Sequence, residues 1–323
     1  MSRPVIVTDS TATLSPEECR RHGIVVVPLQ VVIGATSYDE GVATPDMVAE
    51  ALKQWTPVST SRPNPAEFLE AYEKAAEDGA TEVLSIHVSS EMSGTFESAR
   101  LAAQDASVPV TTLDSRHVGI GTGYAVLAAA EALEAGGTVD EAYAAAVARL
   151  EQTRSVFYVD TLEYLRRGGR VNTVAALIGG ALAVKPLLHI DDGRIAPVEK
   201  VRTAGKAIAR LEELAADGLD DTAVTVSVAH LAGRERAAAL AERLAERLDV
   251  VGDVAVVELG AVLGAHAGPG MVAACVAPAL ASEVAAHAEA RAAEEAAHAA
   301  EEAGAHRVDE QPVDEAVESE GAE

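Results

Sequence analysis

Glu82-Val83-Leu84-Ser85-Ile86-His87-Val88-Ser89-Ser90-Glu91-Met92-Ser93-Gly94-Thr95 is the stretch on which the fold turns. Glu82–Val88 is an apolar run of strand length, and the residues after it are small and polar. Gly94 then opens a segment with helical character that reaches Ala106. A strand that passes through a polar loop into a helix predicts a crossover unit, and so a largely parallel sheet with helices on its faces. The loop also predicts chemistry. Hydroxyls and backbone N–H groups gathered where a helix begins suit a carboxylate or a phosphate. The lysine of a phosphate-binding P-loop is missing, and so is the Gly-x-Ser-x-Gly of a nucleophile elbow.

Outward from this stretch the alternation recurs. Strands are predicted at Pro4–Thr8, Ile24–Ile33, Pro109–Leu113 and Ser155–Val159. Helices are predicted at Pro16–His22, Pro45–Trp55, Pro65–Glu77, Val118–Ala135 and Val139–Gln152. Ser15-Pro16-Glu17-Glu18 and Asn64-Pro65-Ala66-Glu67 are capping boxes with proline at the first helical position. A second α/β unit follows. It has helices at Asp160–Arg167 and Val171–Gly180, then a hairpin of Ala183–Ile190 and Arg194–Val201 turning at Asp191-Asp192-Gly193. Helix Ala204–Asp217, strand Thr222–Ala229, helix Gly233–Leu248, strand Asp253–Leu259, a glycine-rich loop and strand Met271–Ala277 complete it. The expected organisation is an N-terminal α/β lobe over 1–160, with a mainly parallel sheet, and a C-terminal lobe over 161–282 with a mixed sheet. A tail over 283–323 is Ala/Glu-rich, helical to about residue 306 and then disordered.

Net charge of −26 argues against nucleic acid and against an anionic membrane surface. Thirteen acidic residues and two arginines of the 283–323 tail carry much of that charge. Cys19 and Cys275 stand alone, with no metal-binding cluster around them, so neither a zinc site nor a disulfide framework is expected. The apolar run at the N-terminus is too short for a signal peptide, and no stretch reaches the length of a membrane span. These readings place the chain in the cytoplasm without a transmembrane segment.

Four further segments hold candidate site residues. Thr8-Asp9-Ser10-Thr11 ends the first strand, where parallel sheets place ligands, although Asp9 and Ser10 also suit a plain turn. Thr60-Ser61-Arg62-Pro63-Asn64 precedes a helix; Asn64 suits capping, and Thr60 and Ser61 lie outside the first turn. Leu165-Arg166-Arg167-Gly168-Gly169-Arg170 concentrates three cations in one turn. Gly264-Ala265-His266-Ala267-Gly268-Pro269-Gly270 reads as a rigid loop whose one titratable group is His266.

Taken in order, Val7-Thr8-Asp9-Ser10, Thr60-Ser61-x-Pro63, Ser89-Ser90-x-x-Ser93-Gly94-Thr95, Asp114-Ser115, the arginine turn and the His266 loop resemble the DegV family over about Pro4 to Pro278. The family usually continues Thr-Ser with Gln-Pro-Ser; here Arg62-Pro63-Asn64 stands in its place. The resemblance implies two α/β domains with one long-chain fatty acid, of palmitate or oleate type, bound between them. It implies that Ser61 and Ser93 foremost hold the carboxylate, with Thr60, Gly94, Thr95 and His266 in support. It also implies a carrier that performs no chemistry of its own and needs neither cofactor nor metal. Some relatives present the acid to a separate fatty acid kinase, which makes an acyl phosphate; Arg170 would then lie near the head group.

Burying some fifteen methylenes offers on the order of 10 kcal/mol, enough to retain such a ligand after association costs. Apolar wall material is present in 25–33, 175–188 and 272–276, and with 3% aromatic residues such a wall would be aliphatic. Two other readings stand beside this one. A serine hydrolase or acyltransferase could use Ser93 as nucleophile, His266 as base and Asp9 to orient it. A sugar- or nucleotide-phosphate-binding regulator would use the same anion-friendly loops.

Overall fold

Local signals start most helices where the sequence places them. In a computed structural model, which describes residues 3–170, 185–219 and 222–293, capping boxes at Ser15, Asn64 and Thr138 each close on themselves. At the first, Ser15 Oγ accepts from Glu18 N at 3.1 Å while the Glu18 carboxylate accepts from Ser15 N at 2.7 Å.

Strand β1 (Pro4–Asp9) passes through a tight 3-10 turn into α1 (Pro16–His22), β2 (Val25–Val27), β3 (Gln30–Ile33) and β4 (Thr36–Asp39). Then come α2 (Pro45–Lys53), β5 (Val58–Ser61), α3 (Pro65–Glu77), β6 (Glu82–His87) and α4 (Thr95–Ala102). Next are β7 (Val110–Asp114), α5 (Ile120–Glu134), α6 (Val139–Gln152), β8 (Arg154–Tyr158) and α7 (Glu163–Arg167). The described chain resumes with β9 (Lys185–Asp191), β10 (Arg194–Val201), α8 (Ala204–Ala216), β11 (Val224–His230) and α9 (Arg234–Arg247). It closes with β12 (Ala255–Glu258), α10 (Ala261–Ala267) and β13 (Val272–Pro278).

Three sheets result. Strands β2-β1-β6-β7 form a wholly parallel sheet. Strands β10-β9-β8-β13-β11-β12 form a mixed one, in which only β11 and β12 pair in parallel. Strands β4-β3-β5 make a small antiparallel sheet. The parallel sheet is packed on both faces, by α3 and α4 around Phe68 and Tyr72 and by α5 and α6 around Leu84 and Ile86. One face of the mixed sheet carries α8 and α9 over Leu211, Leu240 and Leu244. Its other face packs against Ile120 and Tyr124 of α5 and Leu165 of α7.

The single strand expected over Ile24–Ile33 is two strands in two sheets. Pro28 has no N–H to give a ladder, so β2 ends before it and β3 begins a new sheet after it. Strands β4 and β5 were not anticipated. Strand β8, expected in the first lobe, pairs with β13 and β9 inside the mixed sheet. The glycine-rich segment around His266 is helical: Ala261–Ala267 form α10, and Gly268 ends it at φ 77°. The predicted helix Val171–Gly180 and the start of the hairpin before Lys185 lie outside the described residues.

The chain divides into two units, Met1–Ala279 and Leu280–Glu323. In the second, 281–293 are helical, and Leu280 N donates to the Glu283 carboxylate at 2.6 Å. The expected continuation to residue 306 and the acidic end beyond it lie outside the described residues. No described helix is long and apolar enough to cross a membrane.

Candidate functional site

The inner face of the mixed sheet is not filled by side chains of the described residues. Phe157, Ile190, Ile195, Ala229 and Ala273 form one wall of a cavity, and Leu29, Val88, Met92, Ile120, Val262 and Leu263 form the facing wall. The space is about 970 Å³, its mouth included. Of the three expected wall segments, 25–33 contributes Leu29 and 272–276 contributes Ala273 and Cys275. From the third, residues 175–184 lie outside the described set.

Thr60, Ser93, Arg170 and His266 all open onto this cavity. Thr60 reaches it by strand alternation: on β5, Val58 and Thr60 are half-buried while Ser59 and Ser61 face solvent. Ser61, expected foremost, is therefore exposed, and its hydroxyl donates to the Arg62 carbonyl at 3.3 Å. Thr60, beside it, lines the cavity.

His266 sits in the last turn of α10. The other end of that helix is held by Glu40, whose Oε1 accepts from Val262 N at 2.9 Å. Burial pushes the Glu40 carboxyl up, against hydrogen bonds from Ser10 and Val262. Gly168 packs directly on the His266 ring, where a side chain would overlap it. Burial, and then the charge of Arg170, push the imidazole down to about 4, so it is neutral at neutral pH. Its Nε2 lies 2.8 Å from Thr60 Oγ1.

Ser93 Oγ lies 2.8 Å from Thr95 Oγ1 and accepts from Thr95 N at 3.3 Å. Thr95 is fully buried behind it and supports rather than lines the cavity. Gly94 leaves the room that the Arg62 guanidinium occupies above the start of α4. In the arginine turn, Arg166 and Arg167 pair with Glu163 at 2.9 Å, and Arg167 lies over the Trp55 ring. Arg170 alone of the three lines the cavity, and its Nε donates to the Met92 carbonyl at 3.1 Å. Burial lowers its pKa.

The loop carrying Met92 and Ser93 is itself clasped. Asp114 accepts from Ser90 N at 3.1 Å and from Ser90 Oγ at 2.5 Å. Ser89 Oγ donates to the Gly193 carbonyl at 2.7 Å, and Glu91 pairs with Arg194 at 2.6 Å. The tip of the β9–β10 hairpin thus holds the loop.

Asp9 does not belong to this group. It is fully buried, accepts from Thr11 N and Val88 N at 3.1 and 3.0 Å, and lies 3.0 Å from His87 Nδ1. His87 Nε2 lies 2.6 Å from Ser85 Oγ, which lies 2.8 Å from Tyr72 OH. Burial works to raise the Asp9 carboxyl, but the bond and charge of His87, with Thr11 and Val88, hold it below the usual carboxylate range. The triad of Ser93, His266 and Asp9 is consequently not assembled. His266 meets Thr60, Ser93 meets Thr95, and Asp9 meets His87. The sequence reading passed over Met92, which lines the cavity, and Ser155, which reaches it only because β8 pairs with β13. No group of three or more His, Cys, Asp or Glu suited to a metal occurs among the described residues.

This arrangement can hold an elongated apolar molecule whose anionic end meets two hydroxyls, a neutral imidazole and a guanidinium. A family model described as "Uncharacterised protein, DegV family" matches residues 4–279. A DegV domain-containing protein of Streptomyces coelicolor is 53% identical over 279 residues, 86% of this chain and 99% of that one. Among solved structures, a fatty-acid-binding DegV family protein from Thermus thermophilus superposes with a TM-score of 0.79 at 33% identity, covering 86% of this chain and 100% of its own. DegV of Bacillus subtilis, a fatty acid binding protein, gives the same TM-score, identity and coverage. The chain belongs to the DegV family.

Proposed function

We propose that this chain binds one long-chain fatty acid, with the acyl chain in the apolar cavity and the carboxylate among Thr60, Ser93, His266 and Arg170. The observation that carries the reading is the pairing of an apolar cavity with a cluster of donors on its wall. A buried carboxylate without partners would be very costly. The Thr60 and Ser93 hydroxyls and the Arg170 guanidinium, all lining the cavity, can meet that cost. Fatty acid binding by the solved relatives at 33% identity supports it. Extraction of the purified chain and mass spectrometry of the extract should show a long-chain acid in near-stoichiometric amount. An extract without one, together with no displacement of a fluorescent fatty acid by palmitate or oleate, would end the reading.

The finer reading is presentation to a fatty acid kinase. A carboxylate oxygen would attack the terminal phosphorus of ATP on the kinase, ADP would leave, and an acyl phosphate would remain. Arg170, half-buried on the cavity wall with its Nε donating to the Met92 carbonyl, is the residue that supports this reading. With a kinase supplied, Arg170→Ala should reduce acyl-phosphate formation by more than it weakens lipid binding. Full formation with normal binding would remove this role.

A further inference from the structure

Helix α10 carries His266 into the site but supplies no cap of its own. Its N-cap is Gly260, which has no side chain to accept from the first turn. Glu40, just after β4, takes that part from 222 residues away: its Oε1 accepts from Val262 N at 2.9 Å. The Glu40 backbone N–H donates to the Leu29 carbonyl at 2.8 Å. Val262 and Leu29 both line the cavity and Glu40 does not, so a residue behind the wall ties two wall residues together.

The seat of this carboxylate depends on Gly260. A Cβ at that position would stand 2.2 Å from Glu40 Oε1, a distance no two such atoms can share. Gly260 has φ −58°, a value open to every residue, so the glycine is needed for the room it leaves and not for its backbone. One helical turn beyond Val262, about 6 Å along the axis, stands His266, its Nε2 2.8 Å from Thr60 Oγ1. Helix α10 is thus held at both ends, by Glu40 at its first turn and by Thr60 at its last. The Glu40 carboxylate is largely buried, and its Oε2 has no hydrogen-bond partner among the described residues. A buried oxygen without a partner lowers stability, so stability alone does not account for a carboxylate here.

We propose that Glu40 is a positioning residue for the head group of the fatty acid: it caps α10 from behind the cavity wall and so sets His266 against Thr60. The inference rests on the fatty-acid reading and adds to it a residue that does not line the cavity. Without this cap the first turn of α10 loses its acceptor. A helix of seven residues has few hydrogen bonds of its own with which to keep its last turn in place.

The test uses the full chain freed of lipid, with palmitate displacing a fluorescent fatty acid and the His266 ring followed by its NMR signals. Glu40→Ala and Gly260→Ala should each weaken palmitate binding about tenfold, as loss of one hydrogen bond to a charged group does, and should shift the ring signals. Glu40→Gln keeps an acceptor oxygen for Val262 N and should bind within about twofold of the parent. The double variant Glu40→Ala/Gly260→Ala should bind no more weakly than Glu40→Ala alone, because the added methyl then has no carboxylate to displace. Additive losses in the double variant would overturn the proposal. So would single alanine variants that lose thermal stability yet keep the parent's affinity and His266 signals, since Glu40 would then be structural only. If Glu40→Ala does not fold, the other two single variants decide: Gly260→Ala must lose affinity and Glu40→Gln must keep it. If the parent itself binds no palmitate, the fatty-acid reading falls and takes this inference with it; unchanged variants beside a binding parent leave that reading standing.

Discussion

Two polar constellations in this molecule use nearly the same residue types to opposite ends. The chain Asp9–His87–Ser85–Tyr72 is sealed, with all four side chains essentially without solvent contact and each bonded to the next. The group Thr60, Ser93, His266 and Arg170 is half-buried, and its members line the apolar cavity. The first resembles a catalytic triad in composition, yet it fixes the ends of β1 and β6 to the loop that follows. The second has no acid, yet it is the part that can meet a ligand. Spare hydrogen-bonding capacity aimed into a cavity marks the site; the identity of the residues does not.

The sealed network should give the largest effect. Asp9→Ala leaves His87 and Val88 N facing a hole, and removal of one partner of a buried pair costs roughly 3–5 kcal/mol. Urea unfolding should show that loss; a change below 1 kcal/mol would mean the network is not the clasp described.

Acid should act next, on the open group. The His266 imidazole is held at about 4 against an ordinary 6.5. Between those values the unfolded chain binds more protons than the folded one, so stability falls as pH drops from 6.5 toward 4. The loss is at most about 3 kcal/mol. Thermal unfolding of the lipid-free chain across that window should show it, and His266→Gln should flatten that part of the curve.

Smaller still, Ser93→Ala should weaken fatty acid binding by about tenfold, the net worth of one hydrogen bond to a charged group. Displacement of a fluorescent acid reads this directly. Ser61→Ala should alter binding by less than about twofold, because an exposed serine bonded to a neighbouring carbonyl has little to lose. A Ser61 effect equal to that of Ser93 would contradict the assignment of Thr60, and not Ser61, to the cavity.

Much of this is legible in the sequence alone. Proline and capping residues at 15–18 and 64–67 mark helix starts because they act within one turn. Gly94, Thr95 and Ser93 are readable for the same reason, as a short loop between a strand and a helix. The choice between Thr60 and Ser61 was not legible, since it depends on which face of β5 turns inward, and β5 itself was not recognised. The signal was present in Ile33-Gly34-Ala35-Thr36, a hairpin turn whose partner strand then needs a third. Ser155 and Cys275 carry no local mark at all. They meet only through the register of two strands that lie 120 residues apart.

The position of β13 has a consequence for how the protein is made. It is the last strand among the described residues, but it lies between β8 and β11 in the middle of its sheet. Until it leaves the ribosome, β8 and β11 have a gap between them and the cavity lacks a wall. The cavity is therefore completed only once β13 is made, and a nascent chain cut short of residue 272 lacks that wall. Such long-range closure is also the slow kind of folding step.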